Sequence, residues 1–154
     1  MNKLYQTSID KPTKNYFYTF GWSGVLSPHE RYLEAKNFYT NLTTELNKLA
    51  QLNITPKVRL CGYSHGGNLC LNLAAVKQRE NIKQHLTIDE MILFGVPIQE
   101  DSDHLVADPL FKRVYLSTGA SLNACSFNAC NSFCERKGTA FACLKSLFLK
   151  NITF

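Results

Sequence analysis

The sequence feature that most constrains the fold is a serine flanked by glycines, in the segment Gly62-Tyr63-Ser64-His65-Gly66. A strand-like run at 57–61 precedes it, and residues 68–79 follow it with apolar side chains on one helical face. The pattern G-x-S-x-G alone is weak evidence, since a chain of this size matches it by chance in roughly 5% of cases. Between a strand and a helix it is more specific, because it predicts a sharp turn that lifts the Ser64 hydroxyl above a sheet.

The residue types around Ser64 are those that a sharp strand-to-helix turn requires for physical reasons. Side chains at Gly62 or Gly66 are expected to collide with the neighbouring strand or helix, and Gly67 allows the helix to approach the sheet closely. The amino end of the new helix directs free N–H groups and a positive dipole towards the turn. The backbone N–H of His65 is therefore a candidate oxyanion donor, while its side chain leaves the turn in a different direction from the hydroxyl.

The rest of the chain alternates strands and helices. This rhythm predicts an α/β fold with a mostly parallel sheet and flanking helices. The near-continuous apolar run at 91–96 fits a sheet that is buried on both faces. Strands are predicted at 15–20, 57–61, 88–96 and 112–117, with a polar, acidic loop at 99–108.

The first long helix has a clear start signal. Ser27 can cap it, Pro28 suits its first turn, and Glu30 completes a capping box. The helix is expected to end before Pro56. Its predicted core-facing residues are Leu33, Ala35, Phe38, Leu42, Leu46 and Leu49.

Three segments together resemble the α/β-hydrolase superfamily, in particular its lipase- and esterase-type bacterial members. They are Phe20-Gly21-Trp22-Ser23-Gly24, the glycine-flanked Ser64 and Leu93-Phe94-Gly95-Val96-Pro97, and the resemblance covers residues 16–117. It implies part of a three-layer α/β-hydrolase fold. It also implies a serine hydrolase acting on an ester or other acyl substrate, small or lipid-like. Ser64 would be the nucleophile, with His65 N–H and a loop amide near Trp22 as oxyanion donors.

The resemblance is incomplete at the acid and the base. Where the family places its acid stands Thr118-Gly119-Ala120, so Asp101, Asp103 and Asp108 are the available substitutes. No histidine follows His104, although the family places its catalytic histidine near the C-terminus. The predicted catalytic set is therefore Ser64 with His104 and Asp103.

Two interpretations stay open. The chain is either such an enzyme or a catalytically inactive remnant or pseudoenzyme, truncated or frameshifted, that retains only the Ser64 turn. Either an upstream strand and its loop are missing, or Gly21 to Gly24 is itself the oxyanion loop of a minimal fold. Loss of a central strand would leave an unpaired sheet edge and favour self-association.

The composition of the sequence and its alternation of strands and helices change near Gly119. Residues 1–118 are predicted as the hydrolase-like core and 119–154 as an atypical Cys-rich tail, helical over 139–150 or poorly ordered. The tail is either a docking segment or foreign to the fold. Its cysteines, Cys125, Cys130, Cys134 and Cys143, lack the spacing of a zinc site.

Composition excludes several other classes. The chain has 154 residues, enough for one core, and its net charge of +5 is scattered rather than clustered. Nucleic acid is therefore not an expected partner. No signal-peptide pattern and no apolar run of membrane-spanning length occurs, so a cytoplasmic protein without an integral membrane segment is expected. No cofactor or metal is predicted.

Overall fold

The computed structural model describes residues 4–10, 15–82, 86–117 and 122–126. In chain order its elements are β1 (Leu4–Asp10), β2 (Asn15–Phe20), α1 (Pro28–Gln51), β3 (Arg59–Tyr63), α2 (His65–Arg79), β4 (Glu90–Phe94), a 3₁₀ helix (Asp103–Ala107), β5 (Arg113–Ser117) and β6 (Leu122–Ser126).

The strands of the described residues form two sheets. The larger sheet has the order β3-β4-β5-β6, in which β3, β4 and β5 are parallel and β6 is antiparallel to β5. Strands β1 and β2 form a separate antiparallel pair. The predicted α/β class is therefore confirmed, with a parallel sheet of three strands and two helices.

Burial along the parallel strands alternates. In β3 and β4 every second residue is buried, including Leu60, Met91 and Leu93, and the residues between them are half-buried or exposed. One face of the sheet therefore carries most of the core. Because the other face is only partly covered, the expectation of a sheet buried on both sides is wrong for these strands.

Helix α1 begins as its sequence predicts. The hydroxyl of Ser27 accepts a hydrogen bond from the N–H of Glu30 at 3.4 Å. The predicted inward position of Leu33 is wrong, because this side chain is 40% exposed. It lies off the buried stripe, which consists of Arg31, Ala35, Phe38, Tyr39, Leu42 and Thr43.

Helices α1 and α2 pack against each other, and α2 packs against β3. At their shared edge, Glu80 accepts a hydrogen bond from the Tyr32 hydroxyl and forms a 2.9 Å ion pair with Lys36. Neither helix has the apolar length needed to cross a lipid bilayer.

Two strands were not predicted from the sequence. Strand β1 precedes β2 and pairs with it from Leu4–Phe20 to Asp10–Asn15. Strand β6 pairs with β5 and lies inside the segment 119–154 that the sequence predicts as a tail. The helix predicted at 139–150 lies outside the described residues.

Candidate functional site

Ser64 lies at the turn between β3 and α2. Its backbone has φ 50° and ψ −134°, a region that is sparsely populated for any residue other than glycine. Strand β3 ends at Tyr63 and helix α2 begins at His65, so the turn contains one residue. A strained serine between a strand and a helix is the geometry of a nucleophile elbow.

Neighbouring strand ends hold this turn in place. The Ser64 N–H donates to the carbonyl oxygen of Phe94 at 2.9 Å, and the Gly67 N–H donates to the carbonyl of Ser64 at 3.0 Å. One strand further, the Gly95 N–H donates to the carbonyl of Ser117 at 2.9 Å. The carboxyl ends of β3, β4 and β5 therefore meet at one edge, and Ser64 lies at that edge.

Two of the three predicted glycines are required by close packing. A Cβ at Gly62 would lie 2.6 Å from the Cα of Gly67, and a Cβ at Gly67 would lie 2.2 Å from Cγ2 of Val96. The collision predicted for Gly66 is not found. Its Cβ would lie 3.8 Å from Nε1 of Trp22, which is an ordinary contact.

The predicted oxyanion residues lie on the same side of the elbow. His65 opens α2, where the first N–H groups of a helix have no intrahelical partner. Trp22 belongs to the loop after β2, and its indole lies beside Gly66 in the first turn of α2. The structure thus brings the Trp22 loop and the amino end of α2 together. The imidazole of His65 has a buried Nδ1 with no hydrogen-bond partner.

The predicted base and acid lie elsewhere. His104 and Asp103 are neighbours, with Nδ1 3.8 Å from Oδ1, and their side chains are 65% and 53% exposed. His104 lines a cavity together with Asn72 and Arg79, in the second half of α2. Asn72 is roughly 12 Å beyond Ser64 along the helix axis. The structure brings His104 and Asp103 together, and it places His104 beside the second half of α2.

The other two candidate acids, Asp108 and Asp101, make different contacts from Asp103. Asp108 accepts hydrogen bonds from Nε2 of Gln78 at 2.6 Å and from the N–H of Leu110 at 2.8 Å. It therefore fastens the segment before β5 to α2. Asp101 lines the same cavity as His104. Residues 118–120, where the family would place its acid, lie outside the described residues.

One further residue of this region, Arg31, was not predicted from the sequence. Its side chain is 1% exposed, with Nη1 2.6 Å from Oε1 of Gln99 and Nη2 3.4 Å from the carbonyl oxygen of Leu26. A signal was present, because Arg31 begins the stripe that continues through Ala35, Phe38 and Leu42. Because arginine is charged, this position would ordinarily be expected at the surface.

Metal-ligating side chains do not cluster in the described part of the chain. No group of three or more His, Cys, Asp or Glu side chains is placed there to hold a metal ion. Cys70 is a buried free thiol, and burial raises the pKa of this thiol. The buried thiol is therefore neutral, which disfavours a role as metal ligand or nucleophile.

Comparison of the chain with protein-family models, with curated proteins and with solved structures gives no match. The functional interpretation therefore depends on the elbow and its surroundings.

Proposed function

We propose that this chain is an α/β-hydrolase-like protein, part of the three-layer fold, and that Ser64 is the nucleophile of a serine hydrolase site. The observation that carries this proposal is the strained backbone of Ser64, with φ 50° and ψ −134°, in a one-residue turn between β3 and α2. Strain of this kind costs on the order of 1–3 kcal/mol and persists where the surrounding structure fixes it.

The chemistry proposed for Ser64 is acyl transfer. Its hydroxyl oxygen attacks the carbonyl carbon of an ester or other acyl substrate while a general base takes the hydroxyl proton, and the negative charge develops on the carbonyl oxygen. Collapse of this intermediate breaks the bond to the leaving group, which takes up that proton, and water then releases the acyl group from Ser64. The N–H of His65 and an amide of the loop around Trp22 would stabilise that charge, helped by the dipole of α2. The contact between Trp22 and Gly66 supports a minimal fold in which Gly21 to Gly24 forms the oxyanion loop. We place the protein in the cytoplasm, acting on a small or lipid-like acyl substrate.

A second candidate is a catalytically inactive remnant or pseudoenzyme that retains only the elbow. The observation that favours it is the position of His104 and Asp103 beside the second half of α2. Without a general base, the Ser64 hydroxyl stays neutral, and a contribution of roughly 10²–10⁴-fold to the rate is lost.

Labelling with a fluorophosphonate probe tests the first candidate. The wild-type chain is expected to take up the probe, Ser64→Ala to lose it, and Ser117→Ala to keep it. Ser117 is a matched control because it ends β5, two strands away from β3, at the same edge of the sheet. An unlabelled wild-type chain with a cooperative unfolding transition would favour the inactive remnant.

His104→Ala then separates two sources of the base. If His104 reaches Ser64 during turnover, this variant loses tenfold or more of the hydrolysis rate of a p-nitrophenyl ester. If the labelling and the hydrolysis rate stay unchanged, His104 is not the base.

We also propose that the chain self-associates. Among the strands that the structure describes, β3 stands at one end of the larger sheet, and terminal strands are where sheets recruit further strands. Light scattering during size-exclusion chromatography tests this, and a monomer at all concentrations would contradict it.

A further inference from the structure

A second candidate site lies away from the elbow. A cavity of about 400 Å³ lies between the start of α1, the second half of α2 and the residues around the 3₁₀ helix. Its volume falls within the range of small-molecule sites, about 300–1,000 Å³. The charged and ionisable side chains that line it include His29, Arg31, Arg79, Asp101 and His104.

Arg31 is the unusual residue of this cavity. A fully buried cation is costly unless an anion or several hydrogen bonds compensate it. Among the described residues, no carboxylate forms an ion pair with Arg31, and its two hydrogen-bond partners, Gln99 and the Leu26 carbonyl, are neutral. Its Nε is buried and has no hydrogen-bond partner among the residues that the structure describes. Within that part of the chain the guanidinium therefore has no counter-ion, and it lines a cavity large enough to hold one.

Two adjacent nitrogens of the Arg31 guanidinium, Nε and Nη2, have weak hydrogen bonds or none among the described residues. Nη1 is engaged by Gln99 at 2.6 Å, whereas Nη2 has one long contact of 3.4 Å and Nε has none. The N–H bonds of Nε and Nη2 lie side by side in the guanidinium plane. Such a pair binds two oxygens of one phosphate or carboxylate group at once.

The rest of the cavity favours an anion of more than one charge. Arg79 adds a second cation, and the amino end of α1 at Pro28 adds a partial positive charge. His29 and His104 offer imidazole N–H donors. Asp101 is the one carboxylate among the lining residues.

We propose that this cavity binds a small phosphate-bearing molecule and that Arg31, which lines the cavity, holds its phosphate group. Arg79 contributes a second positive charge at the cavity wall, where its guanidinium lies 4.9 Å from the ring centre of Tyr32. The cavity lining does not include Ser64, although it shares His104 with the catalytic set proposed for Ser64.

Isothermal titration calorimetry of the full chain in phosphate-free buffer tests the proposal, with inorganic phosphate and methyl phosphate as probes. Both are expected to bind with one site per chain. Arg31→Lys keeps the charge but removes the paired N–H groups, and should weaken binding at least tenfold. Arg79→Gln should weaken it roughly threefold to tenfold.

Lys77→Gln is the matched control for Arg79→Gln. It removes the same charge from the same turn of α2 at a residue that does not line the cavity, so it should leave binding unchanged. The comparison of Arg79→Gln with Lys77→Gln tests phosphate binding in the cavity even if the Arg31 variant fails to fold. The proposal is overturned if neither probe binds saturably, if both charge variants weaken binding equally, or if acetate binds as tightly as phosphate.

Discussion

Gly67 and Val96 are packed so closely that a Cβ on Gly67 would lie 2.2 Å from Cγ2 of Val96. Gly67 is in the first turn of α2, and Val96 follows β4. Their contact sets the distance between the helix that follows Ser64 and the neighbouring strand end. The glycine is therefore required by packing.

Gly67→Ala should lower the free energy of unfolding by about 1–3 kcal/mol, because the added methyl group overpacks a site with no free volume. Gly66→Ala is the matched control in the same helical turn. Its Cβ would meet nothing nearer than 3.8 Å, and alanine favours helix more than glycine does. Denaturant unfolding of both variants measures the difference, and equal midpoints would contradict the packing argument.

Ser64→Gly should make the fold more stable than Ser64→Ala by about 1 kcal/mol. Glycine adopts the backbone angles of Ser64 without the strain that alanine retains, although it costs more chain entropy on folding. Both variants remove the hydroxyl, so their comparison isolates the backbone. Unfolding curves in urea supply the values. A more stable alanine variant would show that residue 64 is not strained.

The sequence predicted the central part of the fold because there its local signals agree. The predicted strand at 15–20 is confirmed as β2, and the Ser27 cap is confirmed by its bond to Glu30. The helix after Ser64 begins at His65 rather than at residue 68, since Gly66 and Gly67 carry little helix propensity and their helical state depends on packing. The turn at Ser64 itself follows from the spacing of the glycines.

The rest could not be predicted, for physical reasons. Strand β1 depends on pairing with β2, and pairing between strands is a long-range property that a short polar segment does not signal. The position of His104 depends on how the segment 99–108 packs along α2. There Ser102 hydrogen-bonds Asn68, and Asp108 hydrogen-bonds Gln78. The sequence indicates only that this segment lies on the side of the sheet where the strands end.

Asp89 should make stability depend on acid pH. Burial alone would raise the pKa of this carboxyl, but hydrogen bonds from Lys112 and the Val58 N–H hold the pKa below its ordinary value. The unfolded chain therefore binds a proton more readily than the folded chain. The contribution is fully present above about pH 5 and is lost as the pH falls below about 4.

Urea unfolding between pH 2.5 and 7 (roughly the range over which Asp carboxyls titrate) measures this contribution. Asp89→Asn should flatten the fall in stability at acid pH, because it removes the carboxyl whose pKa is lowered in the folded chain. An acid limb of unchanged slope in the Asp89 variant would contradict the assignment.

Trp22 should report on occupation of the elbow. It is the one tryptophan of the chain, and its indole Nε1 lies 3.8 Å from the position of a Cβ on Gly66, two residues after Ser64. A fluorophosphonate group on Ser64 would displace water from this half-buried indole, so its emission should shift to shorter wavelength. The same probe added to Ser64→Ala should cause no shift. A labelled Ser64 with unchanged emission would show that the Trp22 loop does not cover the reacting group, which would remove Trp22 from the proposed oxyanion site while leaving Ser64 as the nucleophile.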